Sequence, residues 1–260
     1  MRIFIQRYLC VLCVLCGSSS VRASDDYVTV PGGAFHSVLP EGKGKNAVTV
    51  SPFRLARRPV TNAEFAVFVK QQRQWKRGIA PKLFVDTRYL EHWSGPEAPA
   101  RGTEQQPVTE VSWFSAQAYC EAQGARLPTW HEWEFAAAAD SLRPDARADP
   151  AWRQQILDWY SKPGGGGLAQ AGTTPPNFYG VRDLHGVVWE WVEDFGAMMV
   201  SGDNREQGDP DLMKFCGAGA MTMEQKENYA VLMRIAMLSS LKASYTTANL
   251  GFRCARDAVP

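Results

Sequence analysis

Histidine is scarce in this chain. His36, His92, His131 and His185 are the four present, and no two are spaced as a ligand pair. A zinc or iron centre built from paired histidines is therefore not expected. The sequence also lacks G-x-G-x-x-G and G-x-x-x-x-G-K-[ST], the glycine loops that cradle phosphates, so nucleotide-binding folds lose their main support. It has no G-x-S-x-G elbow, and "HEWEF" at 131–135 has no second histidine to complete H-E-x-x-H. Glu132 and Glu134 accordingly read as helix-surface or capping acids. Neither sign of charge is in excess: 28 Lys and Arg face 27 Asp and Glu. With no basic stripe, nothing calls for nucleic acid or an anionic membrane as partner. No segment repeats at a period of roughly 20 to 50 residues, which excludes solenoids and propellers.

What is present begins with a leader. "MRIFIQRYLCVLCVLCGSSSVRAS" reads as a basic start, an apolar run from Tyr8 to Cys16 and a small-residue exit at Val21-Arg22-Ala23. Residues 1–23 are expected to be a cleaved secretory signal, leaving one domain at 24–260 in the periplasm or outside the cell. The apolar run is too short to span a bilayer, so no membrane contact is expected after cleavage. The C-x-x-C-x-x-C of the leader then serves as small apolar residues, not as a metal motif. Three cysteines remain beyond it, Cys120, Cys216 and Cys254. An odd count in an exported chain suggests one disulfide and one leftover thiol. The residues alone leave the pairing open.

Local signals give three helices. Thr61 caps "NAEFAVFVKQQ", in which Phe65, Phe68 and Val69 recur at helical spacing. Ser112 caps "WFSAQAYCEAQ", which Gly124 stops. Thr129 opens "WHEWEFAAAA", with Glu132 completing a capping box. Short extended runs such as "YVTV" and "AVTV" and the turn-forming "KPGGGG" lie elsewhere. With 22 Gly, 16 Pro and 9 Trp, the pattern predicts a single irregular α+β domain.

The order of motifs carries more than any one of them. "VPGGAF" (30–35), "RPVTNAEFAVFV" (58–69), "QPVTEVSWFSAQAYCEAQGARLPTWHEWEFAAA" (106–138), "NFYGVRDLHGVVWEW" (177–191) and "NLGFRCARD" (249–257) stand in the order found in the formylglycine-generating enzyme, or sulfatase-modifying factor, family. The chain resembles that family over nearly its whole length beyond the leader. The resemblance implies a C-type-lectin-like α+β fold, poor in regular secondary structure, with a groove for a peptide. It pairs Cys120 with Cys254. A second family disulfide would need cysteines where Ala137 and Ile235 stand.

The resemblance also bears on "DLHGVVWEWVEDF" at 183–195, where four carboxylates crowd one glycine. It implies a calcium ion held by the side chains of Asp183 and Glu190 and the backbone carbonyls of Gly186 and Val188. Such hard oxygen donors suit calcium, and a cation would relieve the repulsion. In the alternative reading, Asp183 caps a turn and Glu190 is merely solvated. Alternation along the segment makes Trp191 a core residue, whereas Trp189 matches a groove-lining position of the family. A second calcium site of the family is not transferred, because the loop "GGGGLAQAGTTPPNFYG" is short.

One departure decides the chemistry. The two further cysteines with which formylglycine-generating enzymes bind copper correspond to Gln225 and Ala230, and no cysteine lies anywhere in 217–253. Without thiolate, Cu(I) has no soft anionic ligand, and neither copper nor iron is supported. Sulfatase activation by the family's usual mechanism is excluded. The groove candidates are Trp189, Cys216, Arg234, Ser239 and Asn249, with Ser240 and Lys242 beside them. Glu224 and Glu227 are the acids nearest to hand as a base. Two functions stay open. One is a periplasmic oxidative-maturation enzyme for a peptide-like substrate, similar to the pyoverdine-maturation branch that also lacks these cysteines. The other is a non-catalytic binding or assembly factor for a peptide or metalloenzyme partner.

Overall fold

Three polar side chains turn the chain into helices where the sequence predicts. The Thr61 hydroxyl accepts the Glu64 amide while the Glu64 carboxylate accepts the Thr61 amide, opening α1, Asn62–Gln71. Ser112 accepts the Ser115 amide and opens α2, Trp113–Ala122; just past its end Gly124 takes φ +62, a conformation that glycine adopts freely. Thr129 and Glu132 repeat the reciprocal cap at α3, Trp130–Ala137. Phe65, Phe68 and Val69 of α1 are all buried, as their spacing predicts. A fourth helix, α4, Pro150–Tyr160, is absent from the sequence reading. Its signals are Asp149, whose carboxylate accepts the Ala151 and Trp152 amides, and a proline at the first helical position.

This computed structural model describes residues 26–37, 47–160, 167–195, 234, 237–238 and 240–258. The expected leader, Cys216, Ser239, Glu224 and Glu227 lie outside the described residues, as does Ile235.

Strands frame the helices. β1, Tyr27–Val30, pairs antiparallel with β4, Phe53–Ala56, and β4 pairs with β7, Ala255–Asp257. Leu55, the middle of this sheet, stands opposite both Val28 and Ala255. Alternation puts Val28, Val30, Phe53 and Leu55 inside. β2, Gly33–His36, and β3, Ala47–Val50, form a separate pair that turns Phe35 and Val48 inward. The two runs predicted as extended, "YVTV" and "AVTV", are β1 and β3. β5, Trp189–Glu190, and β6, Leu250–Gly251, form a short parallel pair.

The core joins these pieces through rings. Phe65 of α1 stacks on Tyr119 of α2 at 5.7 Å and meets Phe252 and Trp93 edge-on. Cys120 of α2 is disulfide-bonded to Cys254, the pairing that the family resemblance implies. Gly251 is needed for a close approach, because a Cβ there would lie 2.5 Å from the Val108 carbonyl oxygen. The result is α+β with little regular structure. Among the described residues, no helix is long and apolar enough to cross a membrane.

Candidate functional site

The acids of 183–195 do not converge on one point. Asp183, at φ +62, directs its carboxylate to the turn at 172–174. One oxygen accepts the Thr174 amide at 3.0 Å and the Thr174 hydroxyl at 2.7 Å, and the other accepts the Gly172 amide. Asp194 accepts the Trp130 amide at the start of α3, where unpaired amides and the helix dipole favour a negative charge. Glu193 stays at the surface, 4.0 Å from Arg126. Burial and the nearby Glu132, Asp194 and Asp257 carboxylates push it above the usual range, against the pull of Arg126.

Glu190 is buried at 0% exposure, as Asp183 is at 2%, and its carboxylate accepts three hydrogen bonds. Arg253, equally buried, donates Nε to Oε2 at 2.8 Å and Nη2 to Oε1 at 2.7 Å. The Trp133 indole donates to Oε2 at 2.8 Å. Two further Arg253 protons reach the carbonyls of Ala56 and Arg182, so the guanidinium ties β4, β5 and the 182 turn together.

These contacts test the expected calcium cradle of Asp183, Gly186, Val188 and Glu190. They do not fit it. A divalent cation on Glu190 would stand against the positive charge of Arg253, and the Asp183 oxygens are committed to Gly172 and Thr174. The crowding of charge is relieved by a guanidinium, a helix N-terminus and a turn; Asp183 caps that turn, but Glu190 is buried and paired, not solvated. Gly186 adopts φ +108 against Trp159, and Val188 packs inward toward Gly251.

Two further expectations change. Arg234 is not a groove residue: it is 1% exposed, its guanidinium lies 3.7 Å from the centre of the Trp133 ring, and Nη2 donates to the Glu190 carbonyl at 2.6 Å. A planar cation that packs on indole is at home there. Glu134 is not on the helix surface either, accepting from the Ser37 hydroxyl at 2.5 Å and the Trp130 indole at 3.0 Å in the interior. Glu132 does cap, as expected, and is held as well by Arg126.

Of the surface candidates that remain, Trp189 and Asn249 meet at one edge. Trp189 is half-buried beside Trp159, with ring centres 6.1 Å apart. Its amide donates to the Asn249 carbonyl at 2.8 Å, so β5 and the segment before β6 place Trp189 and exposed Asn249 side by side. Exposed Ser240 donates to the Met237 carbonyl, and Lys242 lies over the Tyr245 ring. Trp191 is core, its indole donating to the Val111 carbonyl. Beneath this edge, burial holds His185 down at about 4; the Ala137 carbonyl, which accepts from Nε2, and Glu190 pull it up, and Arg234 and Arg253 oppose them. The residues missed in sequence are Arg253 and Trp133, the partners of Glu190. Their signal is available: an arginine set between Phe252 and Cys254 in an apolar stretch requires a buried acid.

Comparison with known proteins places this geometry. Residues 15–258 match the sulfatase-modifying factor enzyme 1-like domain. The chain is 30% identical to the formylglycine-generating enzyme of Streptomyces coelicolor, over 91% of this chain and 91% of that protein. It is 28% identical to the inactive C-alpha-formylglycine-generating enzyme 2 of Bos taurus, over 89% of this chain and 88% of that one. A hercynine oxygenase of Mycobacterium tuberculosis shares 34% identity over 59% of this chain and 40% of its own. The chain belongs to the sulfatase-modifying factor, or formylglycine-generating enzyme, family.

Proposed function

We propose that this family member is an exported oxidative-maturation enzyme that takes a peptide-like substrate against the edge of Trp189 and Asn249 and works without copper thiolates. The observation that carries the reading is the empty run of the sequence: no cysteine lies in 217–253, where Gln225 and Ala230 stand for the two catalytic cysteines of the family. Retention of the family scaffold with loss of that pair resembles the pyoverdine-maturation branch. An oxygenase among the relatives supports oxidative chemistry on this scaffold. The leader at 1–23 supports export to the periplasm.

A second reading, a non-catalytic binding or assembly factor, has its own support. Trp189, Asn249, Ser240 and Lys242 are suited to stacking and hydrogen bonding, and none of them is an evident acid–base pair. One relative carries the word inactive in its name. Purified protein lacking residues 1–23 is to be incubated under oxygen with a dihydropyoverdine-type precursor while chromophore absorbance is followed. Absorbance that rises in proportion to protein supports the enzyme. No turnover, together with stoichiometric copurification with a folded partner, supports the binding factor and rejects the enzyme.

A further inference from the structure

Among the described residues the Trp189–Asn249 edge shows no proton acceptor, and a histidine that the sequence reading leaves without a role is tied to it through Glu110 and Thr247. His92 Nδ1 lies 2.7 Å from Oε2 of Glu110, and the His92 amide donates to the same oxygen at 2.9 Å. A carboxylate only accepts, so the proton of the neutral ring sits on Nδ1 and the lone pair on Nε2. The Glu110 side chain is 6% exposed and that of His92 31%. The acid is thus enclosed and the imidazole reaches solvent.

The pair is built into strained backbone. Leu90 and Glu110 both take left-handed conformations, φ +51 and φ +53, and the Leu90 amide donates to the Glu110 carbonyl at 2.9 Å. Side chains larger than glycine are disfavoured in this backbone region, and such residues gather at functional sites. Glu110 is also bonded to the edge itself. Its amide donates to the Thr247 carbonyl at 3.0 Å, the Thr247 hydroxyl donates to Oδ1 of Asn249 at 3.0 Å, and the Asn249 carbonyl accepts the Trp189 amide. Other charges on the pair are few. Arg88 Nη2 lies 3.7 Å from the second Glu110 oxygen, Glu91 faces Arg88 at 3.7 Å, and Arg77 is occupied by the carbonyls of Leu90, Glu91 and Trp93.

We infer that His92, oriented by Glu110, is the proton acceptor for a substrate bound at the Trp189–Asn249 edge. The inference rests on the enzyme reading above and supplies the base that reading lacks. The proton leaves an N–H or O–H of the peptide-like substrate and its bonding pair stays on the substrate. Nε2 receives the proton, the resulting imidazolium is stabilised by the Glu110 carboxylate, and the proton passes on to water. No electron moves in this step. Glu110 acts through His92 and is a positioning residue.

The test uses His92→Gln, His92→Ala and Glu110→Gln in the full mature chain with the dihydropyoverdine-type precursor. A positioned base contributes roughly 10²- to 10⁴-fold, so H92Q, whose amide still reaches Glu110, is expected to keep its melting temperature and lose about that factor in kcat. Added imidazole is expected to restore part of the H92A rate in proportion to its free-base concentration, an effect that a structural role does not produce. E110Q is expected to displace the pH profile of kcat with a smaller loss. A folded H92Q within threefold of wild type, or H92A that imidazole does not rescue, overturns this inference alone. A wild type with no turnover overturns the enzyme reading and this inference with it.

Discussion

Replacing Arg253 by methionine removes the guanidinium and leaves the rest of the Glu190 site in place. The substitution deletes two bonds to the Glu190 carboxylate and the bonds to the Ala56 and Arg182 carbonyls, and it leaves a fully buried acid with the Trp133 indole alone. Removing one partner of a buried ion pair costs about 3–5 kcal/mol, because the other charge is stranded without water. For a domain of this size that is a fall of roughly 6–20 °C in melting temperature. Glu190→Leu combined with Arg253→Met removes both charges, and the double variant is expected to be less destabilised than the sum of the single ones. Urea unfolding with the disulfide intact measures all three, in chelator and again in millimolar calcium. If Arg253 is the counter-charge, wild type unfolds at the same urea concentration in both buffers. A loss below about 1 kcal/mol for R253M, or a melting temperature of wild type that falls by several degrees in chelator, refutes the reasoning and restores the cation.

Other consequences are measurable in the same way. Substituting both Cys120 and Cys254 by alanine opens a loop of 134 residues, for which chain entropy gives a loss of about 5 kcal/mol, read as a shift in the urea midpoint. His185 is held down at about 4 chiefly by burial, below its ordinary value of 6.5, so as pH falls the unfolded chain takes up the proton first. Stability is therefore full above about pH 7, falls by about 2 kcal/mol on reaching pH 5 and levels off below about 4; H185Q is expected to flatten that acid limb in pH-dependent urea titrations. Gly251→Ala drives a methyl group into the Val108 carbonyl, and a loss of about 1–3 kcal/mol with a disturbed β5–β6 pair is expected by calorimetry.

The parts of the molecule legible from sequence are those set by neighbours a few residues away. The caps at Thr61, Ser112 and Thr129, the stop at Gly124 and the buried faces of α1 follow from spacing, and the structure places them as read. α4 was legible but unread, since Asp149, Pro150 and the recurrence of Trp152, Ile156 and Trp159 mark it. The Cys120–Cys254 pairing came from resemblance, not from spacing. What escaped are side chains whose partners are distant in sequence. Glu190 meets an arginine 63 positions away, and Glu134 meets a serine 97 away. The family resemblance assigns the first to calcium and local reading leaves the second on the helix surface or at a cap, because a carboxylate in a list of neighbours carries no mark of the charge that the fold brings to it. Arg234 was placed in the groove for the same reason: its polarity is visible in sequence, but the indole face on which it lies is not.

Arg253 and Cys254 are adjacent, and each completes a different long-range bond. The peptide unit that carries the sulfur to α2 also carries the guanidinium into the interior. One short stretch of backbone therefore anchors two distant parts of the chain, α2 through the sulfur and β5 through the guanidinium.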